Sequence, residues 1–221
     1  MIGLILGFVV LLITVYILSI IFSSSSTLSN YQDAATSTSI AATTLTDPTS
    51  TNYTYSIWLY INDWTVNYGR AKTIFTRDGT CPSMKLGAID NIITTSVMLT
   101  DGTISTCEIP NIPLQTWCNV LVTVSGKSID SYLNGKLVKT AVFSVPPTPP
   151  LSTAAIALTP NGGFSGYTAR FKYWGNSVGP QEVWNNYMVG PGGNIFSNFL
   201  NQYKLQFNFI KGTTTQLSLT V

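Results

Sequence analysis

Residues Ile2 to Phe22 form a largely apolar run without a charged side chain, in which Thr14, Tyr16 and Ser19 are small or interfacial polar residues. At ~1.5 Å per helical residue this run reaches roughly 30 Å, the depth of a bilayer's hydrocarbon core. The pattern predicts a single N-terminal transmembrane helix over residues 1–22. A cleaved signal peptide is the alternative, but its apolar stretch is normally about 7–15 residues long behind a positive start. Here only Met1 precedes the run, which favours a retained anchor.

The pattern then changes twice. Residues 23–51 hold sixteen Ser or Thr in twenty-nine positions and almost no large apolar side chain. Such a stretch buries too little surface to offset its ordering entropy alone, and it predicts a tether. From Asn52 onward, β-branched and aromatic runs alternate with turn dipeptides: Asp78-Gly79, Asp101-Gly102, Asn134-Gly135 and Asn161-Gly162. These dipeptides favour the φ > 0 geometry of tight hairpins. Tyr53–Ile61 is apolar on both faces, with Ile57, Leu59 and Ile61 opposite Trp58 and Tyr60. It predicts a strand covered on both sides. Asn119–Ser125 places Val120, Val122 and Val124 on one face, and Ile129–Leu133 with Lys136–Phe143 predicts a hairpin about Asn134-Gly135. Strict alternation in Tyr167–Tyr173 sets Tyr167, Ala169, Phe171 and Tyr173 against Thr168, Arg170 and Lys172.

One short helix is expected after Gly179. Pro180 stands at its first position, Glu182 lies in the positive first turn, and Gly190-Pro191 ends it. Many short strands with one helix predict an all-β sandwich. The tail 194–221 alternates Tyr203, Leu205, Phe207 and Phe209, then Leu217, Leu219 and Val221. It reads as a hairpin that completes the sandwich or offers an edge to a partner.

Composition narrows the chemistry. Only 9% of the 221 residues are charged and the net charge is +2. Such a surface lacks the dense basic patch that a nucleic-acid clamp requires, so no nucleic-acid partner is expected. No histidine is present, which excludes Ser-His-Asp and Cys-His nucleophile systems and every His-containing metal site. Three cysteines give no disulfide framework. Cys107 and Cys118 flank a short loop and would leave Cys81 over if they paired; three reduced thiols are the alternative.

Five phrases then occur in order: YSIWLYINDW (Tyr55–Trp64), KTIFTRDG (Lys72–Gly79), WCNVLVTVS (Trp117–Ser125), YLNGKLV (Tyr132–Val138) and GYTARFKYWGNSVGPQEVWNNYMVGPGG (Gly166–Gly193). Together they resemble the concanavalin A-like, laminin-G-like jelly-roll superfamily, and the resemblance implies a jelly-roll β-sandwich over 52–193. With the N-terminal anchor, the chain is similar to membrane-anchored minor capsid proteins of large DNA viruses that infect algae and other protists. That likeness implies a virion location at the inner membrane, capsid proteins as partners, and the bilayer contacted through residues 2–22.

The glucanases of the superfamily carry a Glu-x-Asp-x-Glu strand, whereas this chain has only Glu108 and Glu182, far apart. Hydrolysis needs two carboxylates facing across a cleft, so no enzyme activity is expected. Asp63, Asp78, Asp90, Asp101 and Asp130 are scattered and do not match the family's calcium pattern. No cofactor or metal is therefore assigned. Two functions remain: a structural link between membrane and shell, or a tethered glycan-binding module. Trp58, Trp117 and Trp184 read as core by their motif positions. The candidate contacts for a partner or glycan are Trp64, Arg170, Lys172 and Trp174, the last three sharing one strand face.

Overall fold

The computed structural model describes residues 26–192 and two C-terminal strands, 206–211 and 214–220. The expected anchor at 2–22 lies outside the described residues, and no described helix is long and apolar enough to cross a membrane.

Thirteen strands build two facing sheets. In chain order they are β1 (Ser26–Ser29), β2 (Gln32–Asp33), β3 (Thr38–Ile40), β4 (Tyr53–Asp63), β5 (Lys72–Arg77), β6 (Ser83–Leu86) and β7 (Ile92–Met98). There follow β8 (Ile104–Pro110), β9 (Trp117–Ser125), β10 (Ser128–Leu133), β11 (Lys136–Val142), β12 (Ile156–Leu158) and β13 (Ser165–Trp174). One sheet runs β1-β13-β4-β9-β10-β11, with β2 also on β13; the other runs β3-β12-β5-β6-β7-β8. Non-sequential neighbours such as β13 beside β4 mark the crossovers of a jelly roll.

The apolar alternation explains the layering. Tyr53, Tyr55, Ile57, Leu59 and Ile61 of β4 join Val120, Val122 and Val124 of β9 in the core between the sheets. From the other sheet Ile74, Phe75, Met84, Ile93 and Val97 close it. Phe171 and Tyr173 are fully buried there too, and Tyr55 lies within 5–6 Å of Phe75, Phe171 and Tyr173, ring centre to ring centre. Cys81, Cys107 and Cys118 are unpaired, buried thiols, and burial alone pushes Cys118 up to about 12.

The segment 26–51 is not a tether. β1 and β2 pair with β13 and β3 pairs with β12, so the Ser/Thr-rich stretch supplies edge strands to both sheets. An edge strand needs its backbone ladder more than apolar side chains, which is why composition alone misassigns it. Gln32 ties the segment together: its Nε2 donates to the Thr36 carbonyl and to Thr159 Oγ1, both at 3.2 Å.

The outer face of the β13-β4-β9 sheet is half covered. Helix α1 (Pro180–Met188) follows β13 and lies against it, starting as expected with Pro180 and with Glu182 in its first turn. Beneath it Leu121, Tyr132, Trp174, Val178 and Val183 form a second, smaller core. Polar residues under the helix are matched to one another. Ser56 Oγ accepts from Asn186 Nδ2 at 2.8 Å and Asn119 Nδ2 at 3.1 Å. Thr54 Oγ1 lies 2.8 Å from Thr123 Oγ1 and accepts from the Val178 N–H. Tyr187 of α1 stacks on Trp58 at 5.6 Å. Beyond Trp58 the helix gives no cover, and the next outward residue of β4, Tyr60, is half-buried.

At the C-terminus, β14 (Gln206–Lys211) and β15 (Thr214–Thr220) form an antiparallel hairpin, a two-stranded sheet of its own.

Candidate functional site

A backbone irregularity creates the exposed site. Ala169 pairs with Trp58, and the next paired residue of β13, Lys172, meets Ser56. Two residues, Arg170 and Phe171, therefore stand opposite Ile57, which is a β-bulge, and Arg170 takes φ +46° there. The bulge reverses the facing of the strand. Phe171 and Tyr173 point into the core, while Tyr167 and Ala169 share the outer face with their partners Tyr60 and Trp58. The strict alternation expected over Tyr167–Tyr173 is thus broken in the middle.

Register then sets one row of side chains across four strands. Asp33 of β2 is paired with Tyr167 of β13, Tyr167 with Tyr60 of β4, and Tyr60 with Trp117 of β9. Tyr31, just before β2, completes a closed cluster of four rings. It stacks on Tyr167 at 5.2 Å and 24° and meets Trp117 edge-on at 6.3 Å. Tyr60 contacts Trp117 at 5.5 Å and Tyr167 at 6.3 Å. The cluster meets water mainly through Tyr31, which is 63% exposed, while Tyr60, Trp117 and Tyr167 are half-buried.

Polar groups border the rings. Asp33 Oδ1 accepts the Ala35 N–H at 2.8 Å, an Asx turn that fixes the side chain of the residue paired with Tyr167. On the opposite side Gln115 Nε2 donates to the Asn62 carbonyl at 3.4 Å. Next to the cluster opens a pocket of about 300 Å³, lined by Asp33, Asn62, Val66, Phe164, Ser165 and Tyr167 among others. Asp63, at the end of β4, is committed elsewhere. Its Oδ1 accepts the Thr65 hydroxyl at 2.7 Å and the Thr65 N–H at 2.8 Å, and these bonds hold its pKa below the ordinary value.

The residues singled out from sequence lie elsewhere. Arg170, Lys172 and Trp174 are indeed neighbours, but Trp174 is not exposed: at 3% exposure it sits in the small core under α1. The chain 175–183 folds back over it, a tertiary event without a local sequence signal. Arg170 Nη1 donates to the Gly190 carbonyl at 3.0 Å, clamping the end of the helix segment. Lys172 Nζ stands 5.6 Å from the Trp174 ring centre. Trp64 is far from these three: Trp174 pairs with Thr54, Asp63 precedes Trp64, and the separation along β4 is about 30 Å. Its Nε1 donates to the Ile89 carbonyl at 3.2 Å, and Lys72 Nζ stands 4.7 Å from its ring centre, so the indole serves as a latch. Of the tryptophans read as core, Trp58 is buried, whereas Trp117 belongs to the open cluster and Trp184 is 39% exposed.

Lys172 gives a pH signature. Burial lowers its ammonium to about 8, Arg170 acts the same way and Glu182 opposes. The unfolded chain holds that proton up to an ordinary 10.5, so it binds more protons than the folded one between these values. Stability from this group therefore rises with pH across that window. Urea melts at pH 7 and pH 10 are expected to show wild type gaining on Lys172→Met at the higher pH. An unchanged difference would mean that the ammonium is solvated.

Comparison with known proteins agrees with this architecture. Residues 32–184 match the family described as the concanavalin A-like lectin/glucanases superfamily. No curated protein matches the sequence. Among solved structures, the ligand-binding domain of botulinum neurotoxin serotype D, in complex with N-acetylneuraminic acid, superposes with a TM-score of 0.60 at 12% identity, covering 72% of this chain and 42% of that one. The binding domain of botulinum neurotoxin serotype G gives 0.53 at 14% identity over 69% of this chain and 40% of its own. The binding domain of Paraclostridial Mosquitocidal Protein 1 gives 0.56 at 11% identity, over 71% and 42%. This chain thus spans about two fifths of the length of those domains, and at such identities the likeness is one of fold. With the family match covering more than half of its residues, the chain belongs to the concanavalin A-like lectin/glucanase superfamily.

Proposed function

We propose that this chain is a non-enzymatic, glycan-binding module, held at a bilayer by residues 2–22. The observation that carries the reading is the open cluster of Tyr31, Tyr60, Trp117 and Tyr167 bordered by the Asp33 carboxylate. Sugar rings present apolar C–H faces and polar edges. A site for them combines aromatic surface with a few fixed polar groups, as here. One structural relative forms a complex with N-acetylneuraminic acid, which supports carbohydrate recognition as a use of this fold.

Hydrolysis is disfavoured by geometry. Glu108 lies on edge strand β8 of one sheet, and Glu182 lies in α1 on the outer face of the other. They do not face each other as a hydrolytic pair must. The scaffold role in a virion, implied by the family resemblance, rests on the apolar run 2–22, whereas the ring cluster speaks for glycan display.

The test is a printed glycan array probed with the full chain in detergent micelles. Saturable binding is expected, weakened about tenfold or more by Trp117→Ala or Tyr31→Ala, equivalent to roughly 1.4 kcal/mol. Thermal melts serve as the control, because Tyr31 is mostly exposed and its loss should leave folding intact. Absence of binding to every printed glycan would end the proposal.

A further inference from the structure

The ring cluster and the adjacent pocket share residues. Tyr167 belongs to both, and its cross-strand partner Asp33 borders the rings and lines the pocket. At about 300 Å³ the pocket stands at the lower end of the ~300–1,000 Å³ range of small-molecule sites. It has room for one sugar ring rather than for an extended chain. Its polar side chains are Asp33, Asn62, Ser165 and the phenol of Tyr167, and none of the residues lining it is basic. The base whose field reaches nearby Asp63 is Lys72, a buried residue whose Nζ stands against the Trp64 ring.

Resting on the glycan-binding reading, we infer that cluster and pocket form two contiguous subsites for a neutral oligosaccharide, and that the site discriminates against sialylated and other anionic glycans. One sugar stacks on the rings while the next enters the pocket and donates hydroxyls to Asp33. Asp33 Oδ1 is engaged by the Ala35 N–H, and Oδ2 has no hydrogen-bond partner among the described residues. An anionic sugar placed there brings a second negative charge beside the carboxylate, and no residue that lines the pocket is basic. At separations of about 6 Å and partial screening, that repulsion corresponds to about a tenfold loss of affinity.

The experiment is an array of matched pairs, each neutral oligosaccharide printed beside the same glycan capped with N-acetylneuraminic acid. It is probed with the full chain in detergent. Neutral members are expected to bind, and capped members to bind at least about tenfold more weakly. Two variants report on charge without disturbing the fold. Asp33→Asn keeps the Oδ1 acceptor of the Asx turn and should narrow the gap. Asn62→Lys places a cation on an exposed pocket wall and should raise binding of the capped members. Capped glycans binding as well as neutral ones, with the signal lost in Trp117→Ala, would overturn the neutral-ligand inference and leave glycan binding standing. No binding by either member of any pair would overturn both.

Discussion

Gly166→Ala is expected to cost on the order of 3–5 kcal/mol and to abolish glycan binding with it. Gly166 takes φ +150°, and a Cβ built there would lie 1.9 Å from the Tyr60 carbonyl oxygen and 3.0 Å from its carbon. Both are backbone atoms, so no side-chain rotation relieves the clash. The methyl group fits only if β13 moves away from β4, which breaks the ladder at Gly166–Ile61 and Tyr167–Tyr60. The second of these pairs is the centre of the candidate site. Gly162→Ala is the matched control: its φ is +79°, but nothing lies within 4 Å of the added carbon. Only the conformational cost of about 1 kcal/mol is expected there. Urea denaturation of the two variants separates the effects, and similar midpoints for both would refute the argument.

Arg77→Met should lower stability by roughly 3 kcal/mol. Arg77 is 1% exposed, and its guanidinium is held by main-chain carbonyls: Nη2 donates to Pro48 at 2.6 Å and Nε to Ala154 at 3.2 Å. These two carbonyls belong to different loops, so one side chain fastens both to the end of β5. The cation also faces buried phenols. Burial raises the pKa of Tyr53, Tyr55 and Tyr173, and the field of Arg77 acts against that rise in all three. Methionine fills the volume but donates nothing, which leaves both carbonyls without their donor. Amide exchange in residues 47–50 and 151–155 is expected to accelerate along with the loss of stability. A variant within 1 kcal/mol of wild type would show that water replaces the guanidinium.

What could be read from the chain followed from whether the signal was local. Tyr53–Ile61 announced β4 because both of its faces are apolar, and both are covered: one by the opposite sheet, the other in large part by α1. Asn134 and Gly135, at φ +50° and +75°, turn the β10–β11 hairpin as their types require. The helix was legible from Pro180, Glu182 and the closing Gly190. The edge strands of residues 26–40 were not, because Ser and Thr side chains carry no burial pattern where the ladder alone holds the strand. The ring cluster was hidden by the bulge. Nothing in Tyr-Thr-Ala-Arg-Phe marks Arg170 for positive φ, since no Gly or Asn stands there. Without the bulge Tyr167 shares a face with Phe171, and the outward row never forms. The one available hint was the adjacent pair Tyr173-Trp174, two large rings on opposite faces, which calls for cover on both sides of β13.

The early start of β1 bears on how such a module meets its target. Ser26 enters the sheet opposite Tyr173, whereas the ring cluster lies by Tyr167, six residues along the same strand. If residues 2–22 are embedded in lipid, only three serines intervene, at most about 10 Å of chain. The Tyr173 end of β13 is then the end nearer the lipid, and the rings lie some 20 Å farther along the strand. Under that condition the sugars the rings would meet first are those on an apposed surface, ahead of glycolipids of the same leaflet.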